Sequence, residues 1–242
     1  HPRVDSGRGY NLAMDAFRKV LFYRDHPQFI QALYHLGWCY YMLDNYDEAI
    51  AVFKYLIEEA DLDFDPSKME EKQVVNPLLR GEAVDYIAIS FDEGRNVEDA
   101  IKFLKLVGNT DYSALVLKRI GELREEDLDF KAAISVYKRL LEEYPFCRLA
   151  PEVNVNLIKL FESQGTPDSA NLIRQQFYDL YSKGGEWQKA FSSRDSQLVA
   201  TVDSMAISIG LFVADASYRE AEESRNSAGY EKAAENYRKL VE

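Results

Sequence analysis

The sequence predicts an all-α fold, a linear array of about five to six helical hairpins, on three observations. A pattern of small and apolar residues returns along the chain on one register. Its most regular members are Ala13, Ala49, Ala100, Ala133, Ala170 and Ala233, which stand 36, 51, 33, 37 and 63 residues apart. The composition is the second: hydrophobic residues make up 47% of the 242, while Gly (12) and Pro (7) are few, which argues against an all-β, collagen-like or disordered chain. The third is that the apolar positions within each copy fall at helical spacing, so a single copy leaves an apolar face that only its neighbours can cover.

Taken in order, Tyr10, Ala13 and Phe17 read as the second helix of an opening repeat. Leu33, Leu36, Gly37, Tyr40, Ala49 and Phe53 form the first full copy, and Val84, Ile87, Ala88, Phe91, Ala100 and Leu104 the next. Leu117, Ile120, Gly121, Ala133, Tyr137 and Pro145 follow. Leu157, Phe161 and Ala170 fit less closely, because Ile158 and Arg174 occupy positions where a small residue and an aromatic are usual. Ala221, Ala233 and Tyr237 close the series. The Gly or Ala pair in each copy lies where two helices cross and lets their backbones approach to the short end of the usual range of about 8–10 Å. The array is expected to hold a partial repeat at 1–29, repeats near 30–60, 81–113, 114–150, 151–181 and 196–242, and insertions near 61–80 and 182–195. The second insertion contains Gly184-Gly185-Glu186-Trp187, read as a turn followed by an exposed aromatic, and a long amphipathic helix is expected from about Asp195 to Glu223.

This grid resembles the tetratricopeptide repeat, whose period is about 34 residues. The resemblance implies a right-handed α–α superhelix that binds peptides or helices on its concave face, through the first helix of each repeat. On that face the first full repeat would place Gln31, Tyr34, Trp38, Tyr41 and Met42. Later repeats would add Glu82, Asp85, Ile89 and Asp92, then Lys118, Glu122, Glu125 and Glu126, then Lys159 and Glu162, and last Asp215, Tyr218, Glu222 and Arg225. The candidate partner-binding residues are therefore Gln31, Tyr34, Trp38, Tyr41, Glu82, Asp85, Lys118, Glu122 and Lys159: an aromatic end beside an acidic middle, suited to a basic or amphipathic protein or peptide. Trp38 is equally open to packing on the neighbouring repeat, and the acids to serving only as solvated surface. The Lys and Asn clamp by which some tetratricopeptide domains hold chaperone carboxylates is disfavoured, because Glu122 stands where Asn would be needed beside Lys118.

A second resemblance narrows the type. Tyr144-Pro145-Phe146-Cys147-Arg148-Leu149-Ala150-Pro151-Glu152 is similar to a junction of bacterial envelope proteins such as the outer-membrane assembly lipoprotein and the TolA-binding coordinator. Tyr34-His35 with Gly37-Trp38, Glu82-Ala83 with Asp85-Tyr86-Ile87-Ala88 and Ser90-Phe91, and Gly185-Glu186-Trp187 resemble large repeat proteins of Gram-negative bacteria. These resemblances imply a scaffold in the bacterial periplasm or at the outer membrane, with a cytoplasmic scaffold as the alternative. The chain begins without Met and inside a helical pattern, and is expected to be a piece of a longer protein.

Chemistry is expected to be absent. The three histidines, His1, His26 and His35, form no metal-binding spacing, and there is no HExxH, CxxC, GxSxG, P-loop or GxGxxG. No catalytic, cofactor or metal residue is expected. Cys39 and Cys147 are expected to pack rather than react, and paired acids such as Glu58-Glu59 to be solvated. The net charge of −12 disfavours nucleic acid and anionic membrane. The most apolar run, Val199–Ala216, is interrupted by Thr201, Asp203, Ser204, Ser208 and Asp215, so membrane insertion is not expected. Self-assembly through the ends of the array, giving a homo-oligomer, is the alternative to a partner-binding role.

Overall fold

The computed structural model describes residues 3–62, 77–108, 110–191 and 195–241. Among them every regular element is helical: α1 (Arg3–Val20), α2 (Phe29–Met42), α3 (Tyr46–Leu62), α4 (Pro77–Gly94), α5 (Val97–Val107), α6 (Thr110–Glu126), α7 (Phe130–Glu143), α8 (Ala150–Ser163), α9 (Pro167–Tyr181), α10 (Glu186–Phe191), α11 (Ser196–Ser224) and α12 (Ser227–Val241). The all-α, helical-hairpin class read from the repeat grid is the observed class. The chain divides into two compact units, 1–136 and 137–242, and the division falls inside α7.

In the first unit α2 pairs with α3, α4 with α5, and the first helices of successive hairpins adjoin, α2 on α4 and α4 on α6. The grid residues form the core: Leu33, Leu36, Ala49, Phe53, Ala83, Ile87, Ala88, Ala100 and Leu104 are all buried. Gly37 shows why a small residue is required. A Cβ there would lie 2.9 Å from the ring of Phe53, which is itself fully buried and has nowhere to move. Local signals set the helix ends. Asn96 caps α5 by accepting from the Asp99 backbone N–H at 3.0 Å, and Gly108, at φ 70°, closes it. The first insertion falls largely on 63–76, outside the described residues; α3 reaches Leu62 before it and α4 begins at Pro77 after it.

In the second unit α8 pairs with α9, α9 with α10 and α11, and α11 with α12. Pro151 and Pro167 sit in the first turns of α8 and α9, where a missing N–H costs nothing. Asp195 caps α11, accepting from the Leu198 N–H at 2.9 Å and pairing with Arg148 at 2.7 Å. The long helix therefore begins where the sequence placed it. Its buried stripe is small, with Val202, Ala206, Gly210, Ala214 and Ala221. A Cβ on Gly210 would meet the Tyr178 ring at 2.5 Å and Leu240 at 2.7 Å, so α9, α11 and α12 come together closely there.

Three expectations need correction. Trp187 is fully buried, not exposed: its indole N–H donates to the Cys147 carbonyl at 3.0 Å, and its ring stacks on Phe191 at 4.4 Å. The Gly-Gly turn before it delivers the ring inward, and the expected turn-like insertion contains α10. Glu59 is buried rather than solvated, because Arg24 holds its carboxylate through two hydrogen bonds of 2.8 and 2.9 Å. The run around Val199–Ala216 lies in a helix that is long and apolar enough to cross a membrane, with mean hydropathy 1.6 over 18 residues. Counting uninterrupted apolar residues missed this, because two charges and a few hydroxyls lower the mean only slightly. In this fold the helix packs on α9 and α12. Cys39 and Cys147 are both buried and unbridged.

Candidate partner-binding face

Tyr34 and Tyr41 lie seven residues apart on α2, and so on one side of it. That side turns toward α4. Tyr41 meets the Tyr86 ring of α4 at 5.2 Å, and Tyr34 meets it at 6.2 Å. Tyr86 in turn stacks flat on Phe53 of α3, with centroids 5.2 Å apart and an interplanar angle of 8°. Tyr46, at the start of α3, adds its ring to Tyr41 at 6.0 Å. Tyr34, Tyr41, Tyr46 and Tyr86 thus form one half-buried ring cluster, anchored on the buried Phe53 through Tyr34 and Tyr86.

The hydroxyls of Tyr41 and Tyr46 hold carboxylates. Tyr41 donates to Glu93 Oε2 at 3.1 Å; the Tyr46 hydroxyl lies 3.3 Å from the same oxygen and 3.2 Å from Asp44 Oδ1. Glu82 is the acid beside Tyr34. Burial, and then the neighbouring carboxylate, push Tyr41 and Tyr46 each up to about 12, with Glu93 the acid in both cases. The same causes, with Glu82 as the acid, push Tyr34 up as well. Among the described residues no ion pair engages Glu82 or Glu93, and both are exposed.

The other acids are differently placed. Asp85 pairs with Arg119 at 3.0 Å, and Arg119 also reaches Glu126 at 2.7 Å and Glu122 at 3.6 Å. Lys118 is largely covered and is bound by Glu122. Asp92, with only 12% of its side chain exposed, pairs with Arg124 at 2.8 Å; burial pushes its carboxyl up. The expected acidic middle is therefore partly neutralised by its own cations.

The remaining candidates fall elsewhere. Trp38, between Tyr34 and Tyr41 in sequence, turns to α1, where its ring meets Tyr10 edge-on at 5.7 Å beside Met14, Leu36 and Cys39. Gln31 is exposed on α2, and Lys159 is exposed on α8 in the second unit. His35 is exposed and stacks on Phe17 at 5.2 Å. Sequence reasoning missed Tyr46, Tyr86 and Glu93. Tyr86 was visible in the Asp85-Tyr86-Ile87-Ala88 run, but nothing local says that it faces Tyr41, 45 positions earlier.

The first helices of successive hairpins, with small residues at each crossing and aromatics fixed on the side they share, define a helical-repeat protein. The tetratricopeptide-repeat family model matches at residues 31–61 and 117–146, so these two segments are similar to tetratricopeptide repeats. The first match carries Tyr34, Trp38, Tyr41, Tyr46 and Phe53; Tyr86 and Glu93 belong to the hairpin between the two matches. No curated protein sequence matches the chain. Tetratricopeptide repeats are protein–protein interaction modules and are typically not enzymes.

Proposed function

We propose that this chain is a non-catalytic scaffold that binds a protein or peptide partner along the tyrosine-lined face of α2 and α4, and that the partner presents basic side chains to it. One observation carries the reading: Glu93 is an exposed carboxylate held by tyrosine hydroxyls, Glu82 is an exposed acid beside Tyr34, and among the described residues no ion pair engages either. A partner Lys or Arg reaching Glu93 would gain an oriented carboxylate and the neighbouring ring faces of Tyr41 and Tyr46 together. The apolar bodies of the tyrosines would supply the contact area. We place the scaffold in a bacterial envelope complex, on the resemblance of the Tyr144–Glu152 junction; secretion of the native full-length protein, followed by cell fractionation, tests that placement. The binding reading is tested with Tyr41→Ala combined with Tyr86→Ala in the full chain. Native partners recovered by affinity capture should be lost from this variant while its far-ultraviolet circular dichroism stays helical. Retention of every partner at unchanged affinity would remove this face from the account.

A further inference from the structure

One helix, α11, joins a long apolar stretch to little cover. In α11 the 18-residue stretch of mean hydropathy 1.6 is only 22% buried. From Ser196 to Ala214 the helix carries one charge, Asp203, which accepts from Gln188 at 3.0 Å. The side opposite the stripe that packs on α9 and α12 holds Ala200, Thr201, Ser204, Ile207, Ser208 and Leu211, with Ile207 50% and Leu211 47% exposed. Its hydroxyls are already satisfied within the helix. Thr201 donates to the Gln197 carbonyl at 3.0 Å, Ser204 to Ala200 at 3.1 Å and Ser208 to Ser204 at 3.0 Å. Such a face can leave water without stranding a donor.

We infer that two copies of this chain associate through this face of α11, antiparallel about a two-fold axis near Ser204. The inference stands apart from the reading of the tyrosine face. Charge is the first reason for choosing a second copy. On a chain of net charge −12, two like molecules repel wherever acidic surfaces meet, and this is a stretch of about four turns that brings none together. Self-complementarity is the second. With the axis at Ser204, Ile207 of one copy lies opposite Thr201 of the other, Ser208 opposite Ala200, and Leu211 opposite Gln197. Each large apolar residue meets a smaller or unbranched one, so the ridge of either helix enters the groove of its mate. A bilayer is a poorer occupant, because α9 and α12 flank the helix and carry exposed charges such as Asp179, Lys232 and Glu235. Four turns of one helix per copy fall short of the ~800 Å² per partner of a standard interface, so a weak dimer is expected, populated at tens of micromolar and above.

Sedimentation velocity on the full chain, from about 1 μM to about 500 μM, should show a reversible dimer. Leu211→Glu, at a site already half in water, should weaken it about tenfold or more by placing like charges across the axis. Ser204→Cys should give a disulfide-linked dimer on mild oxidation, whereas Glu231→Cys on α12 should not; Cys39 and Cys147 are too buried to compete. A chain monomeric throughout this range would overturn the inference. So would a dimer that Leu211→Glu leaves intact and Ser204→Cys does not cross-link, since another face would then join the copies. Binding of the monomer to phosphatidylcholine vesicles, abolished by Leu211→Glu, would assign the face to lipid instead.

Discussion

Glu93 and the tyrosines around it carry most of the chemistry of the candidate face. A phenol whose folded pKa is raised contributes stability that is complete below its ordinary value of 10.0 and is lost as pH climbs through the raised one. For Tyr41 and Tyr46 the window runs from 10.0 to about 12. Ultraviolet titration should show phenols that resist ionisation in this window, and thermal stability should fall across it. Glu93→Gln removes the negative neighbour of Tyr41 and one of the two beside Tyr46, so their titration should move back toward the ordinary value; an unchanged curve would mean that burial, with Asp44 for Tyr46, sets them. Tyr34 and Tyr41 were legible in the sequence because helical spacing alone puts them on one side of α2. Glu93, Tyr46 and Tyr86 were not, because their roles arise from the packing of three helices. Trp187 was misread for a related reason: a Gly-Gly turn looks like surface until one sees that it aims the next side chain into the core.

Among the elements, the crossing of α2 and α3 rests on Gly37 against Phe53. Gly37→Val drives a branched side chain into a ring that cannot move, and should cost about 1–3 kcal/mol in chemical denaturation. Phe53→Ala should cost about 3–5 kcal/mol and also loosen Tyr86, which stacks on it. In the second unit, Trp187→Phe keeps the ring but leaves the Cys147 carbonyl without its indole donor, a loss of about 1 kcal/mol; Trp187→Ala should cost about 3–5 kcal/mol. Helix existence and the capped start of α11 at Asp195 could be read in advance, since small residues at crossings and polar residues at caps are local requirements. Arg174 could not. It occupies a position where an aromatic is usual, and it serves there by lying 4.0 Å from the Phe212 ring and pairing with Glu162. That substitution makes sense only once α8, α9 and α11 are assembled.

For the molecule as a whole, a net charge of −12 bears on association rather than on fold. Long-range attraction of a basic partner should weaken as salt rises, because exposed charges are screened beyond about 8 Å at physiological ionic strength. The tyrosine contacts should persist. The central claim is that the α2–α4 face recognises basic side chains presented on an apolar surface. The most direct test is a fluorescence-anisotropy titration of the full chain with an amphipathic helical peptide bearing lysines, and with its counterpart in which every lysine is glutamate. The lysine peptide should bind, the glutamate peptide should not, and Glu82→Gln with Glu93→Gln should weaken the former about tenfold, the equivalent of ~1.4 kcal/mol. Equal binding of the two peptides, or lysine-peptide binding indifferent to both substitutions, would contradict it.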